Sequence, residues 1–407
     1  MDTYFAELGH TVLKRWKEVN FSLPAFPLIA KEALESCPPS EQVDLNDLIQ
    51  DFLLSDEQPS QSSSGFGQPE LIVYEHPRFY IQVLFWLDGT TDIHQHEFSG
   101  AFHVMEGSSL HSHFEFANPE PITAHFRLGD LVLKETQFLQ TGCTVTITSG
   151  AACIHSLFHL DTPSVTVVVR TQSDPGTGPQ FTYLPPHVAL DPVQDDALTM
   201  RRKQLLDALE RVGDPSYPDL VLAMLEELDF ERGFFILQNG IGHLRSLGAW
   251  DAAWETFATK HGAQSNKILP TLEEVIRRDG IANLRNSIEW VEHRFFMALL
   301  LNVPERRKIL EFVAMRLDGD PVESILRWAD ELMEVSDDEV WILDANLATP
   351  STVPSEDGRG VILAALRQFL LGGPAPQELA SVSDVEQQAL QEALAASSWR
   401  VLAASSS

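Results

Sequence analysis

Cysteine is scarce in this chain. Three cysteines in 407 residues, Cys37, Cys143 and Cys153, offer no disulfide framework, which argues against a stapled secreted scaffold and for a reducing compartment. Basic residues are also few: 28 Lys and Arg against 59 Asp and Glu leave a formal charge of −31. Such an excess repels phosphate backbones and anionic headgroups alike, so no nucleic acid and no membrane surface is expected as a partner. Long apolar runs are missing too, since no stretch reaches the roughly 18 uncharged apolar residues of a membrane helix. The first residues, Met1-Asp2-Thr3-Tyr4-Phe5-Ala6-Glu7, are acidic and carry no basic n-region, so no signal peptide is read there. These absences together predict a cytoplasmic protein.

What is present is a 44% hydrophobic composition, ample for folding, in a chain too long for one ordinary core. Residues 1–65 read as an N-terminal extension of short amphipathic helices, too few to form a core of their own. It ends in the Ser/Gln-rich link Gln58-Pro59-Ser60-Gln61-Ser62-Ser63-Ser64-Gly65. Residues 66–186 carry short β-favouring runs, among them Leu71–Tyr74, Phe79–Leu87, Ala101–Met105, Ser109–Phe116, Ala124–Leu128, Asp130–Leu133, Thr144–Thr148 and Ser164–Arg170. Turn signals such as Asp88-Gly89, Glu106-Gly107, Gly129-Asp130 and Ser149-Gly150 separate them, a spacing that predicts a sandwich or barrel. Ser173 to Pro186 is rich in proline and glycine and closes this region. From 187 to 407 the period becomes helical, with Ile281–Asn302, Glu305–Leu317 and Pro321–Val335 as clear cases. The tail from Ala395 to Ser407 is expected to fray.

Eight of the 14 histidines lie between His94 and His159. His94 and His96 form an His-x-His pair, which on a strand points both imidazoles to one face where they can grip one ion. His155 lies about sixty residues on, between apolar runs. Two ligands on one strand and a third on a distant one is how a small barrel builds a metal site in its mouth, and neutral imidazoles suit first-row divalent metals.

The stretch Phe85-Trp86-Leu87-Asp88-Gly89-Thr90-Thr91-Asp92-Ile93-His94-Gln95-His96 resembles the first metal motif of the cupin superfamily, and Ser149-Gly150-Ala151-Ala152-Cys153-Ile154-His155 resembles the second. Within that superfamily the likeness is to the cysteine dioxygenase-like, three-histidine group, over about residues 70–172. The resemblance implies a jelly-roll β-barrel; with the helical period that follows from 187, the chain reads as β + α, a barrel followed by a separate, mainly α-helical domain. The resemblance also implies iron(II) held by His94, His96 and His155, with Zn(II) or Mn(II) as alternatives. The chain departs from the family pattern at several points. The glutamate that most cupins carry after the second histidine is replaced at Gly100 and Ala101. Glu97 is adjacent but points to the other face of a strand. The Ser-x-His-x-Tyr relay of cysteine dioxygenases falls at Thr166, Val168 and Arg170, and the run Leu71–Tyr74 has no arginine to hold an amino-acid carboxylate. Free cysteine is therefore not the expected substrate.

Other residues are assigned by position. Arg170 could hold a carboxylate or phosphate by a bidentate pair, or lie in solvent at the strand's end. His103 shares the direction of Ala101, the missing ligand position, and with Arg170 is placed in the catalytic group. His111, His113 and His159 are read as substrate contacts or as groups that orient the ligands, with polar residues on an open face as the plainer alternative. His125 reads as a surface residue and Cys153 as a small buried hydrophobe.

The function expected is a mononuclear non-haem Fe(II) oxygenase or dioxygenase using O2 on a small molecule or peptide. Alternatives are a 2-oxoglutarate-dependent hydroxylase, a zinc or manganese cupin isomerase or hydrolase, and a non-catalytic metal- or ligand-binding cupin. In the last case the helical domain would bind a protein partner; a homo-oligomer is equally compatible. Trp250, Trp254 and Trp290 read as core, and His293 as a satisfied packing residue.

Overall fold

A computed structural model of the chain describes residues 3–61, 67–87, 92–192, 196–335, 358–372, 379, 382–396 and 399–403. The Asp88-Gly89 turn, the Ser62–Gly65 end of the polar link and the last four residues lie outside them. The chain divides into two compact units. The first is Met1–Leu87, Thr91–Leu157 and Thr162–Val275; the second is Asp88–Thr90, Phe158–Asp161 and Ile276–Ser407. The stretch expected as one helical domain from 187 is thus shared between both units.

The first unit opens with α1 (Thr3–Glu18), α2 (Phe26–Ser36), α3 (Pro39–Gln42) and α4 (Leu45–Leu54). Asp44 caps α4, its carboxylate accepting from the backbone N–H groups of Asn46 at 2.9 Å and Asp47 at 3.0 Å. Eleven strands follow: β1 (Glu70–His76), β2 (Phe79–Trp86), β3 (Ile93–His94), β4 (Gly100–Glu106), β5 (Ser108–Pro121), β6 (Phe126–Gln140), β7 (Thr144–Ile147), β8 (Ile154–His159), β9 (Ser164–Thr171), β10 (Thr182–Leu184) and β11 (Val188–Leu190). They form an antiparallel five-stranded sheet, β1-β2-β9-β4-β7, and a closed barrel sheet, β10-β11-β6-β5-β8-β3. The expected order, a β-barrel followed by helices, is the order observed. Helices α5 (Ala197–Val212), α6 (Tyr217–Glu227), α7 (Phe230–Ser246) and α8 (Trp250–His261) come next, followed by α9 (Ile268–Ser287), which belongs to this unit only as far as Val275.

Two details of the strand reading change. Gly129-Asp130 is not a turn but lies inside the long strand β6. A Cβ on Gly129 would meet the Phe116 ring at 2.5 Å, so glycine is there to admit a close neighbour. The Pro/Gly-rich passage does not end the β region, because β10 and β11 continue it to Leu190.

Strands β2, β4 and β9 are apolar almost throughout because both faces are covered. Ile81, Val83 and Phe85 of β2, with Ala101 and Met105 of β4 and Val165, Val167 and Val169 of β9, pack against Phe5, Leu8, Val12, Trp16, Phe26, Ile29 and Leu34 of the N-terminal helices. The alternate residues Leu84, Trp86, Phe102, Val104 and Val168 pack inside the sandwich with Phe98, Leu139, Ile147 and Leu157. The N-terminal extension is therefore the outer layer of the five-stranded sheet, which explains why it lacks a core of its own.

The second unit contains α10 (Val291–Asn302), α11 (Arg306–Arg316), α12 (Pro321–Val335), α13 (Gly358–Leu371), α14 (Asp384–Ala396) and α15 (Arg400–Ala403). Phe296 sits 5.5 Å from the rings of both Trp328 and Trp399 in its core. The helix expected over Ile281–Asn302 is broken before α10. There the Arg294 guanidinium donates to the carbonyls of Arg285 at 2.9 Å and Ile288 at 3.2 Å, satisfying the exposed C-terminal end of α9. Trp290 is exposed rather than core and stacks on His293, whereas His293 is bonded to Glu331 at 2.7 Å. No helix among the described residues is long and apolar enough to cross a membrane.

Trp16 anchors the outer layer, its ring 4.4 Å from Phe26 and 6.3 Å from Phe79. Trp16→Ala is expected to cost about 3–5 kcal/mol in denaturant unfolding, the usual loss for a buried aromatic. Leu54→Ala, at a position 84% exposed, should cost less than about 0.5 kcal/mol.

Candidate metal centre

The site depends on one pairing. The two-residue strand β3 runs antiparallel to β8 with His94 directly opposite His155. β3 is held on its other side by β10, where His94 pairs with Thr182 and Ile93 with Tyr183. His96 follows two residues later, just past the strand. Its loop is pinned by Gln95, whose side chain accepts from the Tyr183 hydroxyl at 2.6 Å and donates to the Pro179 carbonyl at 2.9 Å. Beyond it, the Asp174 carboxylate accepts from the hydroxyls of Ser99 at 2.5 Å and Thr171 at 2.7 Å.

These supports bring three imidazoles together. His94, His96 and His155 are all buried, and one ring nitrogen from each lies within 4.8 Å of the others. Their ring centroids are 4.5 to 5.0 Å apart. His94 Nδ1 donates to the Asp92 carbonyl at 2.7 Å, which leaves Nε2 with its lone pair. His155 Nδ1 faces His111 Nε2 at 2.8 Å, and His155 Nε2 faces His96 Nε2 at 2.8 Å. With His155 donating through Nδ1, its Nε2 and that of His96 point lone pairs into one small space. Such a pair is stable around a cation, so the donor set fits a divalent metal ion.

Burial also sets the charge state. It holds the His96 and His155 imidazoles well below the ordinary value of 6.5, with neighbouring histidines adding to the effect. The His111 imidazole is pushed down to about 3, again mainly by burial. The three rings are therefore neutral at neutral pH, the form that binds metal.

A cavity opens between the sheets beside this group. Leu84, Trp86, Phe98, Phe102, Ile147, Leu157 and Val168 supply its apolar lining, and no Asp or Glu is among the lining residues. The missing carboxylate has a steric cause. Phe102 faces the cavity, so Gly100 lies on the same side of β4, but a Cβ there would meet the Val169 carbonyl oxygen at 2.1 Å. No side chain fits at Gly100.

Other sequence-stated positions sort differently. His103 does share the direction of Ala101, but that face is covered by the N-terminal helices and turned from the cavity. His103 Nε2 meets the Ser40 hydroxyl at 2.9 Å and Nδ1 meets Thr144 Oγ1 at 2.8 Å, which removes it from the histidine group. Arg170 does not line the cavity either. Its guanidinium stacks on Phe98 at 3.4 Å and on Tyr80 at 5.0 Å, and donates to the Thr171 and Gln172 carbonyls at 3.4 Å each. It is half-buried, and its guanidinium is engaged with these rings and carbonyls rather than with the cavity. His111 stands directly behind His155, and His113 is half-buried beside it at 4.2 Å between rings. His159 is buried at the far end of β8 and is not a lining residue. His125 pairs with the Asp191 carboxylate at 3.0 Å. Burial pushes the Cys153 thiol above its ordinary value, away from thiolate chemistry.

Gln82 escaped the sequence reading. It is 1% exposed and lines the cavity opposite the barrel wall. The available signal was a lone amide in the otherwise apolar and aromatic run Phe79–Trp86.

No family model matches the chain, and no curated protein does. Among solved structures the chain is similar to KdgF from Halomonas sp., at 17% identity over 30% of this chain and 94% of that one, with a TM-score of 0.20. It is also similar to an RmlC-like cupin from Shewanella frigidimarina NCIMB 400, at 16% identity over 30% and 90%, TM-score 0.20. A third is hydroquinone 1,2-dioxygenase from Sphingomonas sp. TTNP3, at 10% identity over 26% and 68%, TM-score 0.21. Likeness at this level extends to part of the chain and carries no activity with it.

Two predictions test this geometry. Gly100→Ala should destabilise the fold by about 3 kcal/mol or more, since the new Cβ must displace backbone, and a denaturant titration measures it. The second concerns acid. His103, pushed down to about 4 by burial, stays neutral in the fold while the unfolded chain takes up protons near 6.5. Its contribution is complete above pH 6.5 and is lost progressively as the pH falls from 6.5 toward 4. Thermal melts between pH 7 and about 5 should therefore show a falling Tm that is shallower in His103→Gln; equal slopes would contradict it.

Proposed function

We propose that this protein is a metal-dependent barrel enzyme, a mononuclear non-haem Fe(II) oxygenase that uses O2 on a small molecule. The observation that carries the reading is the convergence of three buried, neutral imidazoles within 4.8 Å beside an apolar cavity that no carboxylate lines. A two-histidine, one-carboxylate site is the pattern associated with 2-oxoglutarate enzymes, and Gly100 blocks the position where such a carboxylate would stand. That leaves a three-histidine donor set, which the resemblance noted above links to ferrous iron.

His94, His96 and His155 would hold the ion. When bound, ferrous iron supplies the oxygen chemistry that amino-acid side chains lack. The chain's own residues do the rest. The Asp92 carbonyl accepts the Nδ1 proton of His94, and His111 Nε2, 2.8 Å from His155 Nδ1, would accept that of His155, which would fix the ring directions. Trp86, Phe98, Phe102 and Leu157 exclude bulk water and confine the substrate. The mainly apolar cavity between the sheets suits a small molecule rather than a folded partner.

Protein purified anaerobically should contain about one iron per chain by elemental analysis, and His94→Ala and His155→Ala should reduce it to background. Chelation should lower the Tm by roughly 5–10 °C, the scale expected when a tight ligand of the native state is removed. Oxygen uptake over a panel of small neutral substrates should follow iron content. Zinc alone in the purified protein, with no oxygen uptake after iron loading, would refute the oxygenase reading.

A further inference from the structure

The five-stranded sheet forms the cavity wall that faces the histidines, and its inner surface is almost entirely apolar. On β2 the inward residues are Gln82, Leu84 and Trp86, paired across to Val168, Thr166 and Ser164 of β9. Trp86 uses its indole N–H on the Thr166 hydroxyl at 3.1 Å. Gln82 has no such arrangement. Its amide is 1% exposed, lines the cavity, and its Oε1 has no hydrogen-bond partner. A buried amide oxygen left without a donor is destabilising, so its place in a cavity wall calls for an explanation, and a ligand donor supplies one. No Lys, Arg, Asp or Glu lines this space, because Arg170 is stacked behind Phe98.

From this geometry we propose that Gln82 is a specificity-determining residue and that the cavity takes a neutral, mainly apolar small molecule bearing a hydroxyl donor, of the phenol class. The amide oxygen of Gln82 accepts the ligand's O–H, and Leu84, Trp86, Phe98 and Phe102 cover its flat apolar body. In the metal-free protein carboxylates are disfavoured, because no Lys or Arg lines the space to offset the loss of their hydration. The inference rests on the proposed metal site only for where the ligand would react; binding itself is a property of the opposite wall.

The test is anaerobic calorimetric titration of the full chain, iron-loaded and metal-free, with 4-methylphenol, 4-methylanisole and 4-methylbenzoate, with iron content measured on the same samples. Wild type should bind 4-methylphenol about tenfold more tightly than 4-methylanisole, which has no donor, and in its metal-free form should bind 4-methylbenzoate weakest. The phenol preference should persist in metal-free protein, which separates Gln82 from coordination by the ion. It should disappear in Gln82→Leu and in the more nearly isosteric Gln82→Met, with anisole affinity kept or improved. Equal binding of phenol and anisole by wild type overturns the proposal even if neither variant folds, as does a preference that survives in Gln82→Met. Lack of iron with an intact phenol preference sinks the metal reading and leaves this one standing; iron retained without the preference does the reverse.

Discussion

The pairing of His94 with His155 across β3 and β8 is the constraint from which the site follows. A two-residue strand has almost no pairing energy of its own, so β3 stays in register because its neighbours hold it. Tyr183 and the Pro179 carbonyl fix Gln95, and Asp174 ties Ser99 to Thr171. All but the Thr171–Asp174 bond span scores of residues in sequence, and together they position backbone close to the histidines. An imidazole displaced by an ångström changes a donor set that has to close around one point.

Burial then decides the chemistry available to those rings. An imidazole drawn out of water loses its charged form first, and neighbouring rings of the same kind push in the same direction. The group that results is neutral, electron-rich and convergent. It sits beside a cavity whose lining is apolar except for a threonine and one buried amide. Nothing about the lone pairs depends on the wider acidity of the chain, which is carried by its surface.

Gly100 shows how a missing ligand can be structural rather than incidental. A family pattern read along the sequence registers only that a carboxylate is absent. In the fold, β4 and β9 lie so close at this point that a Cβ would strike the Val169 carbonyl. The close approach is part of the same sheet packing that buries Val165, Val167 and Val169 against the N-terminal helices. Donor set and sheet packing are consequently one problem.

Much of the barrel was legible in advance, because alternation and short apolar runs mark strands wherever one or both faces are buried. The histidine spacing was equally plain: His94-x-His96 needs only the period of a strand to point two rings together, and His155 is the one late histidine set in a small-residue turn. Direction across layers was not legible. Period two says that His103 and Ala101 share a face, but only the N-terminal helices packed on β4 show that this face is turned from the cavity. Arg170 has the parity of Thr166 and Val168, yet Phe98 and Tyr80, far from it in sequence, capture its guanidinium. Gln82 is invisible in a hydrophobic run until the opposite wall is in place. Local periodicity determined which residues lie side by side; the tertiary structure alone decided which face looks inward, because that depends on what packs behind each sheet.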